Sequence, residues 1–561
     1  HFNITEKIIS ISDLQTNLTD ASLQTSGTIT GYLKGIQNLD LKFDGKMGAS
    51  ATALMSDVLN LPPLLDFKPP ISISAAHLTW NHDEGTTLSG DLTLQQELNI
   101  STDIFIMPGQ LDIKKLIIQD PTSHASIILS LKEQTIDLSF KGNLNKSTID
   151  RLISENKILE GGIEGDFHAH VVLDRPENST ARGNLNVKNL IVPWKMETPL
   201  VVNNLSLKIK EKNLRIESAN LSWADNRFDL KGDVDVTPKS ILLDMKISAD
   251  EVSLDKLKEM LDKNKKENHD STVEDEWDYP IQGTLNLNTQ NLTYGGFVWR
   301  PFHADITLRD KTITVSVTDA RLCGIATPGI LKISPQKISA DFKPVARDLE
   351  LHPFIYCLMD KSVNVDGNFD LEGSITAQGS GDTLIQSLGG SFNFGATKGR
   401  FHTGRFHKLL MKIFNLINVT ELFRGKLPDI RQEGFGYNSI QIKSDIKNGK
   451  LILNEVVIDG TSMGIVSHGT IDLINQQVDG ILLVAPLKTV DFFVKKIPLL
   501  KDILGGTLIS VPVRITGELN NPRVIPLSPS AVGSRLAEMM KRTIHLPVQI
   551  IQPILPVEEK K

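Results

Sequence analysis

At 561 residues, the chain is long enough for about four domains of ordinary size, or for one long array. With 40% hydrophobic and 23% charged residues, it has the composition of folded protein rather than of disordered or collagen-like chain. Sixty basic against 67 acidic residues leave a net charge of -7, without the basic excess that a nucleic-acid binder uses to neutralise phosphates. Only 6% of residues are aromatic, so the apolar content is aliphatic and offers few stacking platforms for bases or sugars. The longest uniformly apolar stretch, Ile481 to Pro486, falls far short of the ~20 residues that span a bilayer. The chain opens at His1 inside polar and apolar alternation, which reads as a piece of a longer protein whose N-terminal signal or anchor has been removed. Cys323 and Cys357 are too few for a disulfide scaffold and sit in no metal-ligand spacing. They form one bridge in an oxidising compartment, or they are two buried thiols.

Taken in chain order, the dominant signal is period-two alternation, which marks strands with one apolar face. It covers Leu205 to Ile209, Ile241 to Ile247, Thr312 to Leu322 and Ile440 to Ile446, and almost everything before Ser391 reads as β. A recurring unit of strand, turn, strand, Gly, strand organises these runs, the glycine being followed by apolar residues two and four positions later. Gly90, Gly183, Gly232, Gly283, Gly367, Gly390 and Gly469 each lead such a unit, as in a solenoid-like array that tolerates loop insertions. Glu251 to Asp278 interrupts the rhythm, passing from a short helical pattern into Lys, Glu, Asp, Asn and His with little to bury. After Arg400 helical spacing appears, with apolar stripes at Leu409 to Phe423 and at Val490 to Leu504, the second interrupted by Pro498. A further helix is expected from Pro529, behind a Ser528 cap, to about His545. The expected organisation is therefore a repetitive β region over 1–250, a short helix and charged linker over 251–278, and a β continuation over 279–400. A region with amphipathic helices over 401–528 and a terminal helix and tail over 529–561 follow.

Few motifs carry chemistry. Gly460-Thr461-Ser462-Met463-Gly464 has the spacing of a nucleophile elbow, but a strand rather than a helix follows it, so a catalytic serine is not expected. His168 and His170 share a strand face with Asp166, a spacing that can chelate metal. No third ligand follows, and polar positions of an alternating strand explain them better. His402 and His407 beside Arg400 and Arg405 suit either a phosphate-binding patch or a solvated basic turn. The Asn-x-Ser/Thr triplets at Asn17, Asn99, Asn178, Asn220 and Asn418 arise readily in strands rich in Asn, Ser and Thr. No cofactor site, metal site or enzyme activity is expected.

Geometry decides more than motifs do. A sheet with one apolar face must bury it against another layer, and the first 390 or so residues supply many strands with hardly any helix to cover them. Either two sheets face each other, or one long sheet folds over along its length and encloses an interior lined by Leu, Ile and Val. That interior is a filled core or an open groove for acyl chains.

The last third of the chain carries a resemblance. The order GGSFNFGATKGRF, a helix, NGKLILNEVVIDGTSMGIVSHGTIDLINQQVDGILLVAPL, IPLLKDILGG and VPVRITGELNNPRVIPLSP, over Val363 to Pro529, resembles the C-terminal region of the AsmA-like family. The carriers are Gly389, Gly390, Gly399, Arg400, Asn448, Gly449, Gly469, Pro486, Pro498, Gly505, Gly506, Gly517, Asn521 and Pro522. With its TamB-like relatives, this family implies a mainly β fold: an elongated, solenoid-like, folded-over antiparallel sheet forming a hydrophobic groove, with a few amphipathic helices near the C-terminus. It implies a periplasmic protein held in the inner membrane by an N-terminal helix that this chain lacks. The implied function is bridge-like passage of phospholipid between inner and outer membranes in support of outer-membrane biogenesis, with envelope proteins as partners at either end. The alternative is a filled β-scaffold that assists outer-membrane protein assembly. On this reading the groove lining is Leu285, Leu287, Ile313, Val315, Phe369, Leu371, Phe392, Phe394, Leu451, Leu453, Ile471 and Leu473. Helices carrying Lys408, Leu410, Lys412, Phe414, Phe423, Phe493, Ile497 and Leu500 cap the groove, lie on a membrane, or pack onto the sheet. A Cys323–Cys357 bridge fits the periplasm and would pin two neighbouring strands.

Overall fold

The structure, a computed structural model, describes residues 2–33, 35–59, 68–95, 97–152, 156, 159–192, 199–223, 226–259, 280–358, 364–403, 408–409, 412–413, 434–486, 508–544 and 548–550. The chain is mainly β and antiparallel, and the runs of period-two alternation named above are all strands. Two compact units divide it, residues 1–289 with 307–310 and residues 290–306 with 311–561.

In the first unit, strands from Phe2–Ile4 to Ile241–Ser253 pair each with the next as an antiparallel meander. The register places like with like. Leu23, Gly45, Ile73, Leu92, Ile100, Ile118, Ala125, Gly142, Gly165, Leu185, Leu207, Ile216, Gly232 and Met245 stand opposite one another across consecutive strands. Because successive side chains alternate faces, a one-residue slip in any strand would turn its aliphatic set to the solvent. The opposite face is polar and carries cross-strand ion pairs, Lys141–Asp166 at 2.9 Å, Lys208–Glu217 at 2.5 Å and Arg215–Asp233 at 2.8 Å. Exposed as they are, such pairs contribute little stability and mainly disfavour other registers.

The repeating glycines sit inside strands, not between a second and a third strand as the sequence pattern suggests. Gly183 lies within Thr180–Val192 and Gly232 within Asn226–Val236. At both the backbone takes a positive φ, 112° and 151°. A Cβ would fall 1.9 Å from the Asp166 carbonyl oxygen at Gly183 and 2.1 Å from that of Asp244 at Gly232. Beside Gly232 the register shifts between Ile216 and Ala219 of the neighbouring strand. Glycine and bulge together bend the ladder while keeping its pairing.

In the second unit the strands from Thr312–Leu322 to Arg523–Pro526 are again antiparallel, and Val548–Ile550 adds a parallel pairing to Leu508–Glu518. Among the described residues the helices include α1 (Ala49–Leu59), α2 (Lys146–Leu152), α3 (Leu351–Leu358), α4 (Asp382–Gln386) and α5 (Ser534–Ile544). Helix α5 buries Leu536, Met539 and Met540 against Val466, Leu483 and Ala485, on the side of the late strands opposite the main apolar face. The expected Ser528 cap is not made: Pro529–Ala531 is an isolated 3-10 turn, the Ser528 hydroxyl lies 2.9 Å from that of Ser530, and α5 begins later.

Cys323 and Cys357 are bridged, with their Cα atoms 5.7 Å apart. The bridge joins the turn after Thr312–Leu322 to α3, so it pins a helix to a hairpin, not two neighbouring strands as expected. A period-two reading assigns strand to both flanks and has no means of placing a helix at Cys357.

Gly232→Val should lower the stability of the first unit by about 2 kcal/mol or more, through the disfavoured φ and the clash with the neighbouring carbonyl. Lys231→Val, exposed on the same strand, should change it little, and denaturant unfolding of the two variants side by side checks this.

Candidate functional site

The aliphatic face of each unit grades from covered to open along the strand direction. In the first unit the row Ala21, Met47, Ile71, Leu94 and Leu98 is at most 8% exposed. Helix α1 contributes Ala51 and α2 contributes Ile149 and Leu152 to the same cluster. Toward the other strand ends, Leu88, Ile104, Ile113, Leu129, Leu138 and Ala169 form a cross-strand row that is only half-buried, with Leu88 exposed. Beyond it Ile106 is 51% exposed. A sheet face this apolar is ordinarily buried by a second layer, and here the helices cover one margin of it.

Two acidic side chains hold those covering helices. The Asp20 carboxylate accepts hydrogen bonds from the Ser50 and Ala51 amides in the first turn of α1, at 2.9 and 2.8 Å. It satisfies donors that a helix start leaves orphaned, as a local cap would. The Ser50 amide, followed by those of Ala51 and Asp20 itself and the Thr19 hydroxyl, holds its pKa below the ordinary carboxylate range against the opposing cost of desolvation. Asp120 is buried and accepts from the Thr122 and Ser123 amides and the Thr122 and Thr148 hydroxyls, at 2.7 to 2.9 Å. Burial pushes its pKa up, but these four bonds outweigh it and the net shift of the pKa is downward.

In the second unit the covered row is Phe369, Ala396, Ile440, Ile458, Ile465, Val484 and Val511, each 5% exposed or less. Phe354 of α3 lies on Phe369 with ring centroids 4.7 Å apart. Leu409 and Ile413 join the same cluster. Tyr437 closes this end: its hydroxyl donates to the Asp366 carbonyl at 2.7 Å, and burial, with the Asp366 charge, pushes its pKa up to about 12. Three rows along, Gly390, Ile446, Leu451, Ile471 and Val478 stand opposite one another and half-buried. Ile313, Ile333 and Ile338 continue the open side, Ile313 being 38% exposed.

The sequence-derived lining residues fall on these faces as follows. Leu285 and Leu287 are half-buried in the first unit, in the same strand and on the same face as Gly283, where a Cβ would meet Leu243. Val315, Leu371, Phe392, Phe394, Leu451, Leu453 and Ile471 are half-buried on the second unit's face. Phe394 stacks on Phe369 at 5.4 Å. Phe369 itself is packing beneath α3, and Leu473 is an exposed residue just past a strand end, its amide bonded to the Gly449 carbonyl. Of the proposed capping helices, Lys408 is exposed and Lys412 donates to the Asn521 side-chain oxygen at 2.8 Å. Leu410, Phe414, Phe423, Phe493, Ile497 and Leu500 lie outside the described residues, as do His407 and Arg405. The open row of the first unit, Leu88 to Leu138, was readable from the same alternation and is missing from the sequence-derived set.

The other motifs resolve as strand chemistry. His168 lies 3.3 Å from Asp166 and His170 2.5 Å from Asp137, two separate pairs on the polar face. His402 pairs with Asp366 at 2.6 Å. Ser462 sits in the tight turn between Lys450–Gly460 and Met463–Asp472, with no helix behind it. Among the described residues no group of His, Cys, Asp and Glu is arranged to hold a metal, and no helix is long and apolar enough to cross a membrane.

Comparison with known families matches residues 354–524 to the YhdP protein family, a family of AsmA-like envelope proteins. No curated protein matches the chain. The matched stretch holds residues 354–358 of α3, the covered row and the open row from Gly390 to Val478.

A carboxylate whose folded pKa is depressed contributes stability above its ordinary pKa, 3.8 for Asp20 and Asp120, and loses it as pH falls through the folded pKa. The Ser50 and Ala51 amides should therefore exchange faster as pH drops from about 5 to about 3, after correction for intrinsic rates. In Asp20→Asn they should be fast and flat across that range, which hydrogen exchange at both pH values would show.

Proposed function

We propose that the half-exposed aliphatic faces carry lipid acyl chains, and that the chain serves phospholipid passage between the inner and outer membranes of a bacterial envelope. The observation that carries this reading is the gradient itself. In each unit one row is closed under helices, while rows of the same aliphatic character a few residues away stay half-exposed. Such a surface is costly in water, and each methylene laid on it gains about 0.8 kcal/mol. A lining that is mostly aliphatic, with Phe392 and Phe394 as exceptions, suits hydrocarbon better than sugar or base. The match of residues 354–524 to an AsmA-like family supports the same reading, and a disulfide suits an oxidising compartment such as the periplasm.

On this reading the protein is not an enzyme: it holds lipid by burial alone, and membrane tethering, both membranes and envelope partners belong to the same proposal. The fully closed row from Phe369 to Val511 favours the second reading, a filled scaffold for outer-membrane assembly, for that margin of the second unit.

Native mass spectrometry with lipid extraction on the purified chain should find co-purifying phospholipid. Leu285→Asp and Ile313→Asp, one in each unit, should together reduce it about fivefold or more, since a charge on the face must be desolvated by any chain laid over it. Lys210→Glu on the polar face should leave it unchanged. A lipid-free protein that takes up nothing from phospholipid vesicles would favour the scaffold.

A further inference from the structure

The disulfide fastens a helix that covers the apolar face, not the sheet. Cys323 and Gly324 form the two-residue turn between Thr312–Leu322 and Ile325–Ala326, both with positive φ, 51° and 88°. The first position of such a turn favours Asn, Asp or Gly, and a cysteine there costs backbone energy, so its sulfur is what the position supplies. The bond crosses 34 residues to Cys357, which is exposed near the end of α3. The sheet strands around it are held by ladder hydrogen bonds. Helix α3 has no ladder. Its first amide donates to the Gly367 carbonyl, and Leu351, Phe354 and Ile355 pack on the cluster around Phe369.

We propose that the Cys323–Cys357 bridge is an exchange site for a dithiol reductant, and that its reduction releases α3 from the covered end of the second unit's apolar face. One thiolate of the reductant attacks the sulfur of Cys357, the more exposed of the two residues, and expels the Cys323 thiolate, which takes up a proton. The second thiol, deprotonated, then attacks the mixed disulfide and expels Cys357, which is protonated in turn. The reductant leaves as a disulfide, two electrons and two protons having passed to the bridge. Without it, α3 keeps its apolar contacts but loses its far tether, and Phe369 and Ala396 join the open rows when it lifts. The bridge then sets how much of the face is open, which matters for lipid only on the reading proposed above.

The test uses the full chain with dithiothreitol as the probe and follows hydrogen exchange. Reduction should speed exchange of the amides of residues 354–358 about tenfold, while those of Phe435–Lys447 stay protected. A Cys323→Ser/Cys357→Ser variant should show the fast exchange with or without the probe. A bridge that resists dithiothreitol in the folded protein overturns the proposal, as does unchanged exchange of α3 after reduction. Loss of protection throughout the second unit overturns it too, because the bridge would then hold the fold. Uptake of a fluorescent fatty acid should rise on reduction. If neither form takes up lipid, the lipid reading fails while the exchange result still decides the latch.

Discussion

An apolar sheet face has to be covered by something, and in this protein that requirement is met unevenly. Side chains alternate along every strand and the register is continuous across neighbours, so the aliphatic residues of many strands merge into one surface in each unit. Covering such a surface completely takes a second sheet or a layer of helices. Short helices supply only a margin: α1 and α2 in the first unit, α3 with Leu409 and Ile413 in the second. The other rows are left half-exposed, and the functional reading follows from that uncovered hydrocarbon.

The devices that shape the face are backbone devices. Gly183 and Gly232 admit a positive φ in mid-strand, and the neighbouring bulge lets the ladder bend without losing its pairing. The opposite face stays soluble through exposed cross-strand pairs such as Lys141–Asp166. Helix α5 adds a separate layer behind the last strands through Leu536, Met539 and Met540, so the late part of the second unit is apolar on both sides while the early strands are not.

Attachment of the covering helices is long-range in every case. Asp20 caps α1 from the turn between Ile8–Leu18 and Ala21–Thr30, 30 and 31 residues away from the amides whose hydrogen bonds it accepts. Asp120 gathers Thr148 of α2 across 28 residues, and a disulfide spanning 34 holds α3. Interactions of this kind set which end of a face is closed and which rows stay half-exposed.

The sequence by itself determined the strands and their faces. Period-two alternation is a local property, so Ile313, Val315, Leu371, Phe394, Leu451 and Ile471 could be assigned to an apolar face from spacing alone, and the order of short motifs after Val363 resembles the AsmA-like family over nearly the same stretch, residues 354–524, that matches the YhdP family. The alternation did not mark α1, whose Ala49–Leu59 run breaks the period and is rich in helix formers, nor α3. Only the tertiary structure decided which apolar residues are packing and which are surface: Phe369 and Phe394 share one pattern, yet Phe369 lies sealed under Phe354 while Phe394 remains half-buried. Burial depends on what arrives from elsewhere in the chain, through Asp20, Asp120 and Cys357. No window of neighbouring residues contains that information.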